Sequence, residues 1–277
     1  MTEYAHPETL VDTQWLAKHL NDPNIRIIEI DLSPESYERE HIPGSIFWNA
    51  MAPFKPDLQI NFDPTAIEKL LGDSGIDNNT TVIAVHNSYI ATSGFIFWLL
   101  KVFGHDEIRI LNGGRKKWAM DNYPLTEEKT TVKPTQYHVR AIDRDLEISL
   151  SEIQKSIEQN DSALLDVRTP QEYHGELFLM EPPKENERGG HIPSAINLYY
   201  ELVHNEDDTF KSFAEIQEIF KQKNITPEQL IVPYCAVGGR SGHTWFILKY
   251  LLGYPNVKNY HGSWNEWSKT IDLPVAK

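Results

Sequence analysis

Two similar α/β domains with parallel sheets are predicted by three features of the 277-residue sequence: an internal repeat, apolar strand-like runs alternating with helical stretches in each copy, and a polar connector between the copies. Residues 81–118 lie on residues 230–267 without a gap, pairing Phe97 with Phe246, Leu99 with Leu248, Gly104 with Gly253, Gly113 with Gly262 and Trp118 with Trp267. The match is far longer than a solenoid period and keeps strand, helix and turn in one order, so both halves are expected to fold alike. The pattern recurs earlier in each half as His41-Ile42-Pro43-Gly44 and His191-Ile192-Pro193-Ser194, each following a short apolar strand-like segment.

Taken in order, the first half supplies strand-like runs at 27–30, 81–85 and 109–111, and the second at 163–167, 230–234 and 257–260. Helical stretches between them force crossover connections and hence parallel pairing. Residues 126–136 are polar, charged and β-branched around Pro134 and read as a connector, which divides the chain into domains of 1–130 and 131–277.

A hydrophobic content of 40% is ample for buried cores in a chain of this length. The single cysteine excludes an intrachain disulfide framework and any multi-cysteine zinc or iron–sulfur site, which assigns a reducing compartment. No apolar run reaches the length of a membrane span, and residues 1–13 lack the basic-then-apolar pattern of a secretory signal, so a cytoplasmic protein is expected. A net charge of −14 argues against nucleic acid or a membrane surface as partner and leaves a small anion drawn by a local basic pocket.

That one cysteine, Cys235, opens the run Tyr234-Cys235-Ala236-Val237-Gly238-Gly239-Arg240-Ser241-Gly242 between a strand-like and a helical segment. A lone cysteine is most often a small buried hydrophobe. Here two adjacent glycines can turn backbone N–H groups inward, and the following helix adds its positive N-terminal end, a setting in which a thiol falls from about 8.5 to roughly 3.5–7.5. Cys235 is therefore the candidate nucleophile. In the repeat it falls on His86, within Val85-His86-Asn87-Ser88-Tyr89, so the first copy has no thiol chemistry and is expected to form one wall of a shared cleft. The alternatives for His86 are a structural hydrogen-bonding residue or a catalytic one.

The second half contains Leu165-Asp166-Val167-Arg168-Thr169-Pro170-Gln171-Glu172-Tyr173, then Gly190-His191-Ile192-Pro193-Ser194-Ala195-Ile196-Asn197, the Cys235 loop, and Tyr260-His261-Gly262-Ser263-Trp264-Asn265-Glu266-Trp267; Leu111-Asn112-Gly113-Gly114-Arg115-Lys116-Lys117-Trp118 is the first-half counterpart of the last. In order and spacing these motifs resemble the tandem two-domain rhodanese-type sulfurtransferases, and among them the bacterial thiosulfate sulfurtransferases, which are related to 3-mercaptopyruvate sulfurtransferases.

The resemblance implies a doubly wound, mostly parallel sheet flanked by helices in each half, with an inactive N-terminal copy packed on a catalytic C-terminal one. It implies that Cys235 takes the sulfane sulfur of a small anionic donor and passes it, through a persulfide, to a thiol, cyanide or a thioredoxin-like acceptor. No cofactor and no metal are called for. Gly238 and Gly239 would let the amides from Ala236 and Val237 to Ser241 face the persulfide sulfur. Arg240 would bind the donor's sulfonate and stabilise departing sulfite. Ser241 is expected mainly to cap the following helix. Arg168 has a possible substrate contact or a bracing role beside Asp166, and Arg188 is placed within reach of the cleft from a polar insertion. Trp264 and Trp267 are expected in the core or a cleft wall.

The chain departs from the animal enzymes of the family, which carry a second arginine where Glu172 stands here, so contacts assigned to that arginine do not transfer. Arg240 favours thiosulfate as donor, whereas neutral Ala236 and Val237 keep 3-mercaptopyruvate open. A cysteine phosphatase or arsenate reductase is a rival, although its usual signature spaces cysteine and arginine one residue further apart than the four residues between Cys235 and Arg240. A non-catalytic binding protein is the other. The eleven histidines form no close-spaced ligand pairs of the kind helical zinc sites use.

Overall fold

The repeat in the sequence becomes a repeat of sheets. The computed structural model describes residues 3–159, 161–179, 181–185 and 187–277. In the first half β1 (Leu10–Val11), β2 (Ile25–Asp31), β3 (Ile46–Asn49), β4 (Thr81–His86) and β5 (Ile108–Leu111) form one sheet in the order β1-β5-β4-β2-β3, every pair parallel. In the second, β6 (Ser162–Asp166), β7 (Ile196–Asn197) and β8 (Leu230–Tyr234) pair in parallel in the order β7-β6-β8. Single parallel bridges from Ile231 to Val257 and from Glu147 to Asn259 complete the same five-membered order.

The expected strand at 257–260 is thus reduced to bridges. Ile231 donates to Asn256 O, and the amides of Lys258 and Tyr260 donate to Ile231 O and Pro233 O. The next donor from β8 would be residue 233, and as proline it has none. Ala84, its counterpart in β4, pairs with Ile110 and the first-half strand forms.

Helices α1 (Thr13–His19), α2 (Glu35–Arg39), α3 (Pro64–Asp73), α4 (Ala91–Val102) and α5 (Gly114–Met120) flank the first sheet. Helices α6 (Leu150–Gln159), α7 (Pro170–Tyr173), α8 (Phe213–Lys221), α9 (Gly239–Phe246) and α10 (Ser263–Lys269) flank the second. No helix among the described residues is long and apolar enough to cross a membrane. The connector has no regular structure and runs back along the first half, where Thr135 bonds Gly72 O and Ile76 O, Val139 N donates to Glu68, and Asp143 N donates to Val102 O.

Helix α4 is buried on eleven of its twelve residues, so its own sheet cannot cover it alone. The other cover is α9, its counterpart in the repeat. The two approach so closely that a Cβ on Gly94 would lie 2.3 Å from His243 Nδ1, and one on Gly242 would meet the Phe95 ring at 3.3 Å. Phe97 and Phe246, equivalent positions, meet edge to face at 4.6 Å. Equivalent residues touching each other mark a local two-fold relation between the halves, and α9, which begins beside Cys235, is pinned by it.

Three buried histidines line this seam. His204 Nδ1 lies 3.1 Å from Asp208 O and so carries the proton there; its Nε2 then accepts from His243 Nε2 at 2.9 Å, which leaves His243 Nδ1 unprotonated and without a partner. His86 bonds Ser93 Oγ at 3.2 Å. Burial, reinforced by Lys116, pushes His86 down to about 4, and burial with His86 nearby does the same to His204. The unfolded chain takes up these protons near the ordinary value of about 6.5, so it binds more protons than the folded chain between that pH and about 4. Stability is therefore full above pH 6.5 and falls as pH drops through that window. Thermal unfolding from pH 8 to 4 should show this loss, and His204→Gln should make it shallower, leaving the His86 share; a wild-type profile level down to pH 4.5 would contradict the assignment.

Candidate active site

Strand β8 delivers the chain to Cys235 at its C-terminal end, the edge where open α/β sheets place ligands. The backbone then reverses at Gly238, whose φ of +97° and whose missing Cβ, which would lie 2.6 Å from His261 O, admit only glycine. The turn sends Gly238 N–H onto Cys235 Sγ at 3.1 Å, and the amides of Val237 and Ser241 face the same atom. Ser241 Oγ lies 3.7 Å from it. Behind the loop, Ser263 Oγ accepts from Cys235 N at 3.0 Å, and the first amides of α10 lock the loop carbonyls, Trp264 N to Cys235 O at 3.0 Å and Asn265 N to Ala236 O at 2.9 Å.

Cys235 is 1% exposed and nevertheless lines a cavity of about 480 Å³ between the halves. Burial pushes its thiol up, but Arg240, the amides of Ser241 and Val237 and the Ser241 hydroxyl outweigh it and hold the thiol below its ordinary value. Arg240 meets Glu172 in a two-pronged pair, 2.7 and 2.8 Å. Glu172 is wholly buried and doubly used. As the third residue of α7 it closes a capping box with Thr169, accepting from Thr169 N and Oγ1 at 3.1 Å each, while its own amide bonds Thr169 Oγ1. Burial raises Glu172, and the Arg240 fork, with Thr169 and Arg168, brings it below the usual carboxylate range; Arg240 stays protonated throughout.

A model of the rhodanese-like domain matches residues 12–121 and again residues 149–270. The chain belongs to the tandem rhodanese family. It is similar over 99% of its length to the sulfur carrier protein TtuD of Thermus thermophilus, 40% identical and matched over 98% of that protein. It is 36% identical to a Mycobacterium leprae protein named "Putative thiosulfate sulfurtransferase", across 98% of each chain. Among solved structures, an anaerobic ergothioneine biosynthesis enzyme from Chlorobium limicola, with trimethyl histidine bound, superposes on the whole chain and on 72% of its own, with a TM-score of 0.90 at 23% identity, which shows a shared fold.

Within this tandem rhodanese several expected placements change. Gly239 has an ordinary helical backbone and room for a Cβ, which would make an ordinary 3.9 Å contact with the Phe95 ring, so of the two glycines only Gly238 makes the turn. Ser241 caps nothing: the N-cap of α9 is Gly238, and the Ser241 hydroxyl bonds Gly238 O at 3.1 Å and approaches the sulfur. Of the two roles open to Arg168 the structure shows the bracing one: it is wholly buried, held by Asp166 at 2.7–3.1 Å and by Gly190 O at 2.7 Å, and does not line the cavity. Asp166, only two residues back at the end of β6, collects it. Arg188 also faces elsewhere. Its guanidinium donates to the carbonyls of Trp267, Ser268, Thr270, Ile271 and Leu273, in the last turn of α10 and just beyond it, where a helix end leaves acceptor capacity unfilled. Trp264 and Trp267 are core residues.

The sequence reading missed Ser263 and Glu172 as the partner of Arg240, and it expected a first-half wall without naming its residues, which include Met51, Phe54, Leu58 and Tyr89. One signal was present for Ser263. Its repeat partner is Gly114, and both hold φ near +55° (+53° and +55°). A Cβ on Gly114 would sit 2.4 Å from the His86 ring, whereas the smaller Cys235 leaves room for the serine. Because Arg188 serves α10 and not the cavity, Arg188→Ala should cost about 2–4 kcal/mol of stability and leave the iodoacetamide alkylation rate of Cys235 within about twofold. Differential scanning calorimetry and an alkylation time course check this; a large fall in alkylation at unchanged stability would return Arg188 to the site.

Proposed function

We propose that this chain is a sulfurtransferase that carries sulfane sulfur on Cys235, with 131–277 as the catalytic domain and 1–130 as the inactive one that closes the cleft. The observation that carries the reading is the convergence of main-chain donors and Arg240 on one sulfur atom at the floor of a cavity. Family membership and relatives named as a sulfur carrier and as a thiosulfate sulfurtransferase support it.

With thiosulfate as donor, the Cys235 thiolate attacks the outer sulfur. The new S–S bond forms as the old one breaks, and sulfite leaves with the bonding pair, so the charge on each side is equal. The persulfide anion then occupies the ring of amides from Val237 to Ser241, which need no reorganisation to receive it. A thiophilic acceptor, cyanide, a small thiol or a thioredoxin-like protein, attacks the terminal sulfur and regenerates the thiolate. The chemistry draws on no cofactor. A loop with neutral Ala236 and Val237 keeps 3-mercaptopyruvate as the second donor reading.

Intact mass before and after thiosulfate should show a gain of one sulfur in the wild type and none in Cys235→Ser. Cyanide should then remove the added mass as thiocyanate, and comparison of rates with 3-mercaptopyruvate ranks the donors. No mass gain from either donor, or turnover of an aryl phosphate in its place, would overturn the proposal.

A further inference from the structure

Two leucines over the Cys235 cavity stand in a backbone conformation that leucine avoids. Leu58 has φ +65° and Leu179 has φ +59°, and both line the cavity, one from each half. A left-handed residue with a branched side chain costs about 1–2 kcal/mol, and such strain persists where the surroundings use it. The repeat supplies an internal control. Leu58 sits in a turn closed by the Phe54–Ile60 bridge, and the same turn in the second half, closed by the His204–Phe210 bridge, places Asp208 at the equivalent position with the same φ of +65°. Aspartate tolerates that conformation and leucine does not. Asp208 lines a polar cavity beside the degenerate His86 loop, so only the turn facing Cys235 carries the costly apolar residue.

The rest of the wall agrees. Leu32, Tyr89 and Leu179, three of the six large hydrophobic residues with substantial exposure among those described, ring this one cavity at 42, 37 and 38%. The space, about 480 Å³, is the liquid volume of roughly 16 waters, far more than thiosulfate fills. Charge points the same way. Among the described residues Arg240 is the one basic side chain on the wall; Glu172 neutralises it, and Glu201 adds a second carboxylate, which accepts from Tyr200 Oη. The wall is therefore net negative before the thiolate is counted, which opposes a small dianion.

We propose that the favoured donor is an organic sulfane compound, an apolar group attached to the transferable sulfur with at most one negative charge, that Leu58 and Leu179 seat that group, and that Glu172 sets the charge preference. This rests on sulfur transfer through Cys235. With an aryl thiosulfonate the thiolate takes the outer sulfur, the S–S bond breaks, and the arylsulfinate leaves with the electron pair, so charge again balances.

The test measures kcat/KM for thiosulfate, methanethiosulfonate and benzenethiosulfonate, each divided by its rate with a free small thiolate, on the wild type, Leu58→Asn and Glu172→Gln. In the wild type the benzene compound should exceed both others by about tenfold or more, since it matches the methane compound in charge and differs in buried apolar area. Leu58→Asn relieves the backbone strain, should melt no lower than the wild type, and should erase most of the advantage of the benzene over the methane compound. Glu172→Gln should raise thiosulfate relative to benzenethiosulfonate by about tenfold, because a removed carboxylate charge acts more strongly on a dianion. A wild type that handles thiosulfate as well as the benzene compound overturns the inference, as does either variant with unchanged ratios. If no donor loads sulfur on Cys235 by mass, the sulfurtransferase reading fails instead.

Discussion

The left-handed turn at Gly238 is the constraint on which the site depends. A residue with a side chain would collide with His261 O, and without the turn the amide of Gly238 would not reach the sulfur. Two anchors hold the turn from outside. The first amides of α10 fix the carbonyls of Cys235 and Ala236, and the close approach of α9 to α4 fixes the helix that continues from the turn. A buried thiol would otherwise be pushed towards neutrality; here fixed dipoles and one arginine reverse that tendency.

The two rhodanese-like halves show what divergence costs and permits at one position. His86 fills the place of Cys235 and demands a glycine at 114, and its ring then joins His204 and His243 in the seam. In the second half the small sulfur leaves room for Ser263, whose hydroxyl holds the Cys235 amide. The first half thus has no thiol at that position but contributes Met51, Phe54, Leu58 and Phe95 to the cavity wall. Each half is incomplete as a cleft without the other.

Much of this was legible in the sequence where the signal is local. The α/β alternation, the order of the repeat and the strand-to-helix loop at Cys235 follow from periodicity and glycine placement, and the strand runs at 27–30, 81–85 and 230–234 fall within β2, β4 and β8. The rest depended on contacts between distant residues. Pro233 weakens a strand that apolar pattern alone would allow. Asp166, two residues before Arg168, left its bracing role open as one alternative, whereas Arg188 finds its partners in carbonyls at the C-terminal end of α10, about 80 residues away, and no local spacing says that it turns from the cavity. Glu172 reads as a departure from the family pattern; only the fold brings it against Arg240, 68 residues later.

The central claim is that the loop amides and Arg240 favour the anion of Cys235 and hold its thiol below the ordinary value. Because the chain has one cysteine, the ultraviolet absorbance of its thiolate, followed against pH with Cys235→Ser as the blank, reads that atom alone. The account requires a midpoint clearly below the ordinary cysteine value of about 8.5, moving upward in Arg240→Gln. A midpoint at or above that value in the wild type would contradict it.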